Sequence, residues 1–240
     1  IDLLKKEIDK LRPFSGELLQ SIKQYYKIGL TWSSNALEGN TLTESETKVL
    51  IEDGLTVGGK RLREIFEAVG HAEAYEMIFS LVHKKTISED EIKKMHELFY
   101  RNIDRENAGK YRKNQAIITG SKYPVCDPQH IASEMGSLCS WMDSSGEKLH
   151  PVEFAARVHK KFVFIHPFID GNGRLARLLM NTVLIQNGYM LAVIPPILRA
   201  EYIQLLEKAR SVDRPFINFI GDRVLESEKE IMRLLHIPQE

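Results

Sequence analysis

Apolar residues recur at helical spacing along almost the whole chain, and this periodicity confines it to an all-α architecture. Leu18, Ile22, Tyr25 or Tyr26, Gly29 and Trp32 form one such series. Thr43 with Glu46, and Ser88 with Glu91, have capping-box spacing: a hydroxyl accepts from the backbone three residues on, and the carboxylate reaches back. Gly54 reads as the stop of the first of these helices. Leu62, Ile65, Phe66 and Val69 open another, expected to run to about Lys84, and Ile92, Met95 and Phe99 line the one after Ser88. Asp127-Pro128 and His150-Pro151 each read as a cap followed by proline at the first helical position. Val152, Ala155, Val158, Phe162 and Ile165 continue the second of these as an apolar face. Helices also fit 173–187, closed by Gly188, then 197–210 and 215–235. One stretch breaks the pattern. From Gln115 to Pro124 the chain carries β-branched residues, then glycine, then proline, which predicts a small hairpin.

A chain of 240 residues can bury one large core, with or without a smaller appendage. Its 33 basic and 33 acidic residues argue against bulk electrostatic binding to nucleic acid or membrane. Near the C-terminus Arg223 and Arg233 are isolated among Glu226, Glu228 and Glu230, so no basic groove-reading face is expected there. No apolar run has the length of a membrane span, and the first residues lack a secretory pattern. The chain opens on Ile, so it reads as processed or as part of something longer. Cys126 and Cys139 have neither metal-ligand spacing nor a disulfide framework, and the expected home is a reducing cytoplasm.

The chemistry concentrates after Lys161. An apolar helix end leads into His166-Pro167, where proline biases His166 away from helical geometry. Gly171-Asn172-Gly173 permits a tight turn, and a new helix follows at once. Such a loop aims several backbone N–H groups and the positive end of a helix dipole at one point, which makes a phosphate cradle. Asp170 beside it is a hard oxygen ligand suited to Mg²⁺. Arg174 and Arg177, three apart, suit a polyphosphate, and His166 can take a proton near neutral pH. Cradle, metal ligand, base and charge clamp together are the parts needed for attack on a nucleotide phosphate. Singly, each has a plainer explanation as a turn, a cap or a solvated face; their order within His166–Arg177 argues for the functional one.

The run His166-Pro-Phe-Ile-Asp-Gly-Asn-Gly-Arg-Leu-Ala-Arg177 resembles the motif of the Fic/Doc family at every fixed position. His150-Pro-Val-Glu-Phe154, Leu178-Leu-Met-Asn181 and Gly109-Lys-Tyr-Arg112 are similar to the family's adenylyltransferases, so the likeness covers about residues 31–235. The resemblance implies a Fic-type helical bundle with a small β-hairpin flap beside the active site. Residues 1–100 would be N-terminal helices, including an inhibitory helix around 34–39; residues 101–235 would be the core, with the flap at about 113–124 and the active-site loop at 166–177. It implies transfer of AMP from ATP, with Mg²⁺, to a Ser, Thr or Tyr hydroxyl of a target protein. His166 would be the base, Asp170 would hold the metal, Gly171, Asn172, Gly173 and Arg174 would cradle phosphates, and Arg177 would bind the γ-phosphate. Phe168 reads as a buried anchor. Ile117, Ile118, Thr119 and Gly120 would hold the target as an extended strand, and Tyr202 would line the nucleotide pocket. Ile203 and Arg210 stand where some relatives have Tyr and Asn. Self-modification and a homodimer are both compatible with this reading.

Ser34-Asn-Ala-Leu-Glu38-Gly39 matches the inhibitory motif of autoinhibited members. By that resemblance Glu38, on one helix face with Ser34, would pair with Arg177 and keep ATP from binding productively. Removal of AMP, transfer of another phosphate-containing group, and non-catalytic ATP sensing are the alternatives the sequence leaves open.

Overall fold

The computed structural model describes residues 1–56, 58–118 and 121–238. Among the described residues the regular structure is helical. The α-helices are α1 (Asp2–Asp9), α2 (Gly16–Ala36), α3 (Glu44–Lys48), α4 (Leu62–Ser80), α5 (Glu89–Tyr100), α6 (Ile131–Ser145), α7 (Pro151–Ile165), α8 (Asn172–Gln186), α9 (Arg199–Lys208) and α10 (Arg214–Leu234). Among the described residues no helix is long and apolar enough to cross a membrane.

Local sequence sets most of these boundaries. Both expected capping boxes form, at Thr43–Glu46 and Ser88–Glu91. Asp127 caps a short 3₁₀ turn with proline inside it, and His150 accepts from the Val152 N–H ahead of α7. Gly54 takes the left-handed conformation, φ 66°, as a helix stop requires. Before it, Val49–Asp53 widen into a π-helical turn that periodicity alone did not indicate. α4 ends at Ser80 rather than near Lys84, because the chain turns there through Leu81–Lys84.

α7 and α8 pack together at the centre of the molecule. α8 is buried nearly all round, so it needs neighbours on every side, and α4, α5 and α2 supply them. Phe162, Phe168, Leu179 and Met180 lie in the single large core with no exposed surface. Gly70 lets α4 and α5 approach closely: a Cβ there would lie 2.2 Å from the Phe99 carbonyl oxygen. This contact fixes the two helices that flank the Asp170 loop.

The expected hairpin is not formed among the described residues of 113–124. The local backbone bond there is a turn, Ser121 N–H to Ile118 C=O at 3.1 Å, and Ile117 is 93% exposed. The physical reason is that two short strands have neither a sheet to join nor an apolar layer to cover, and an isolated hairpin is marginal in water. Thr119 and Gly120 of the expected flap lie outside the described residues. The inhibitory segment also differs from expectation. Ser34 is in the last turn of α2, but the helix ends at Ala36, and Glu38 follows in the turn. Gly39, at φ 94°, reverses the chain, while Gly39 N–H bonds Ala36 C=O at 3.0 Å and Asn40 N–H bonds Asn35 C=O at 3.1 Å. This Schellman-type closure ends the helix in the residues that were expected to extend it.

Candidate active site

The loop between α7 and α8 is held from inside. His166 ends α7 in the left-handed conformation, φ 54°, and its N–H bonds Phe162 C=O at 3.0 Å. The Asn172 side chain closes the loop on itself: Oδ1 accepts from Phe168 N–H at 2.9 Å and Nδ2 donates to Phe168 C=O at 2.8 Å. The Asn172 side chain is thus used within the loop itself. Gly171 has φ 77°, and a Cβ there would lie 2.6 Å from the Phe99 ring, so both backbone and space require glycine. No side chain caps the start of α8. Its first N–H groups and the dipole behind them face the anion site.

An anion is already there. The Glu38 carboxylate sits over Gly173 so closely that a Cβ on that residue would be 2.3 Å from Oε1. Arg177 Nη2 donates to the same oxygen at 2.7 Å. Three more N–H groups of Arg177 go to Ser34, whose hydroxyl accepts from Nε and whose carbonyl accepts from Nη2, both at 2.9 Å, and to the Tyr202 hydroxyl at 3.3 Å. Arg177 is 2% exposed, whereas the Glu38 side chain keeps 35% of its surface in solvent. Burial pushes the Glu38 carboxyl up, but Arg177 and then Arg174 outweigh it and hold the group below its ordinary value. A buried guanidinium of this kind is costly to leave without an anion.

Tyr202 is itself buried. Its hydroxyl contacts His159 Nε2 at 2.8 Å on one side and Arg177 on the other, so it stands behind the arginine. Arg174 is also enclosed, bonded to Asn35 Oδ1 and Asp170 Oδ1 at 3.3 Å and paired with Glu67 at 3.2 Å, over the ring of Phe99. Asp170 is 38% exposed and pairs at 2.6 Å with Arg63.

His166 is held by a residue that sequence reasoning quoted but gave no task. Arg112 donates from Nε to His166 C=O at 2.8 Å, from Nη1 to Asn114 C=O at 2.8 Å, and from Nη2 to Cys126 C=O. Its own N–H bonds Pro167 C=O at 2.9 Å. One side chain thus ties His166 to Asn114 and Cys126, on either side of the predicted hairpin. Burial, then the Arg112 charge, push the His166 ring down to about 4. It is therefore neutral at physiological pH and free to accept a proton. His96 was missed altogether. Gly109 N–H donates to its Nδ1 at 2.9 Å, so the ring proton is on Nε2 and donates to Asp170 C=O at 3.1 Å. The ring stacks on Phe168 at 3.8 Å. In sequence it was only one polar residue on the apolar face of α5; the Gly109–Arg112 run supplies one of its two partners, the Gly109 N–H.

Residues 86–184 match the model of the Fic/DOC family. Protein adenylyltransferase Fic of Drosophila persimilis is 36% identical over 225 residues, 92% of this chain and 44% of that protein. The Drosophila willistoni protein of the same name is 39% identical over 194 residues, 80% of this chain and 39% of that one. The chain belongs to the Fic/DOC family. It spans less than half the length of these curated relatives. A Fic domain containing signaling protein from Bacteroides thetaiotaomicron superposes with TM-score 0.88 at 29% identity, covering 100% of this chain and 99% of that one. Fic-1 (residues 134–508) from C. elegans superposes with TM-score 0.87 at 29% identity, covering 98% and 71%.

The Fic fold thus brings Asp170, Gly171, Gly173, Arg174 and Arg177 together at the start of α8, with Ser34 and Glu38 reaching them from α2 and the turn after it. Ile117 and Ile118 lie beyond Arg112 and Asn114, in the segment tied to His166.

Proposed function

We propose that this chain is a protein adenylyltransferase held off by Glu38. The observation that carries the reading is the Glu38 carboxylate seated over Gly173 and on Arg177, where an anionic ligand belongs. In the proposed reaction His166 takes the proton from a Ser, Thr or Tyr hydroxyl of a target protein. That oxygen forms a bond to the α-phosphorus of ATP as the bond to the bridging oxygen breaks, and diphosphate leaves. The α8 N-terminus and Arg174 hold phosphate oxygens, and Arg177 takes the γ-phosphate once Glu38 withdraws. Among the described residues no three metal-ligating side chains cluster. A lone, partly exposed carboxylate such as Asp170 still fits Mg²⁺, which commonly uses one protein oxygen and completes its shell with phosphates and water. When bound, Mg²⁺ would neutralise phosphate charge beside Asp170. The 113–124 segment would gain strand order from the target, whose backbone supplies the missing ladder. The free Cys126 and Cys139 are in keeping with a reducing cytoplasm.

The test is incubation with labelled ATP, Mg²⁺ and candidate targets, read by mass spectrometry for an added AMP group. Glu38→Gly is expected to raise incorporation on the order of tenfold or more, the scale of losing one strong ionic contact. His166→Ala in that background is expected to lower it about 10²-fold or more, as removal of a general base does. Incorporation indifferent to His166→Ala, or a product bearing phosphate alone, overturns the proposal.

A further inference from the structure

We propose that Arg63 is a positioning residue for Asp170: it occupies the carboxylate in the resting state, and it must let go before a divalent cation can be held there. This rests on the reading of Asp170 as the cation ligand. The two carboxylate oxygens have different partners. Oδ1 accepts from Gly171 N–H at 2.6 Å and from the enclosed Arg174 at 3.3 Å, which fixes the group from within. Oδ2 accepts from Arg63 Nη2 at 2.6 Å. Arg63 is the one partner that can leave, since its side chain is 56% exposed whereas that of Arg174 is 4% exposed.

Arg63 also has somewhere to go. Its Nε reaches Glu67 Oε1 at 3.3 Å, and the same oxygen lies 3.2 Å from Arg174 Nη1. Arg63, Asp170, Arg174 and Glu67 form a closed ring of alternating charge. Opening it at Arg63–Asp170 leaves the guanidinium anchored on Glu67 and frees Oδ2 on its solvent side. Two positive groups converging on one oxygen repel each other, so Arg63 and the cation compete for it. The ring is also joined to the inhibitory turn, because Asn40 Nδ2 donates to Glu67 Oε2 at 3.0 Å.

The experiment titrates Mn²⁺ into the Glu38→Gly chain with a non-hydrolysable ATP analogue, reading free Mn²⁺ by electron paramagnetic resonance. Arg63→Ala is expected to lower the half-saturating Mn²⁺ concentration about two- to fivefold, the span of a partly exposed ion pair. Asp170→Asn should raise it, and Arg63→Ala should then change nothing further, which a merely structural role would not produce. Melting without metal checks that each variant is folded. If Asp170→Asn leaves Mn²⁺ binding unchanged, the reading of Asp170 falls and takes the inference with it. If Asp170→Asn weakens binding while Arg63→Ala leaves it unchanged or weaker, only the inference is overturned.

Discussion

Arg112 does more for the site than its distance from the motif suggests. It bonds the His166 carbonyl, and its charge helps burial to hold the ring near 4. A depressed pKa keeps His166 in the accepting form to lower pH than an exposed histidine. The acid limb of the pH–rate profile of Glu38→Gly should therefore fall below 6.5, the ordinary value. Arg112→Met removes the charge but keeps much of the bulk; it should move that limb upward and lower the rate, as the loop loses its tie. A limb that stays in place would show that Arg112 does not tune the base. Tyr202 teaches a related lesson. The resemblance implied a wall of the nucleotide pocket, and the fold adds that its hydroxyl is used on Arg177 and His159.

At the scale of elements, the Glu38–Arg177 contact depends on how α2 ends. Leu37 N–H still bonds Ser33 C=O at 3.0 Å, so the chain keeps its helical sweep just past Ala36 and carries Glu38 toward Arg177. Gly39 then turns the chain away at φ 94°. A Cβ at Gly39 would meet nothing within 4 Å, so a substitution acts through backbone strain alone. Gly39→Ala should cost about 1 kcal/mol of stability. It should also raise AMP incorporation, though less than Glu38→Gly, because the carboxylate remains but is mis-aimed. Equal activity in Gly39→Ala and the parent would show that the turn does not set the contact. The same logic explains why the flap was misjudged. β-Branched residues state a preference for extended backbone, but a strand needs a partner, and the described part of this segment has none.

For the molecule as a whole, three buried histidines and the half-buried His166 shape the response to acid. Burial pushes His71 and His159 down to about 3 and His96 and His166 to about 4. The unfolded chain takes up these protons near 6.5 and the folded one does not, so stability present above that pH is lost as pH falls from 6.5 toward 4. Melting temperature should drop across that window, and a flat profile would contradict the buried, neutral assignment. Glu228 acts with the opposite sign. It is fully buried, neither carboxyl oxygen has a hydrogen-bond partner, and burial raises it to about 7. Its contribution is complete below 4.5, its ordinary value, and is lost as pH rises through about 7. Glu228→Gln should therefore remove the loss between 4.5 and about 7, so that its melting temperature rises more steeply with pH across that window than the parent's, while the two profiles run parallel above it.

What the sequence determined by itself was local. Capping boxes, proline starts and glycine stops act over three or four residues, so Thr43, Ser88, Asp127, His150 and Gly54 were legible without a partner. The His166–Arg177 loop was legible for the same reason, because its turn, its cradle and its base are contiguous. Ser34 and Glu38 were found only because their spacing forms a motif; the seat of Glu38 over Gly173 is a tertiary fact. Only the folded chain decided which guanidinium is free and which is spent. Arg63 and His96 reach the site from residues remote in sequence and nothing local marks them, while Arg112 stands in a recognisable run that does not disclose its partners. The physical reason is that burial and pairing are set by what the packed helices bring within a few ångströms. A charged side chain reads the same in sequence whether it faces water, an anion or another side chain.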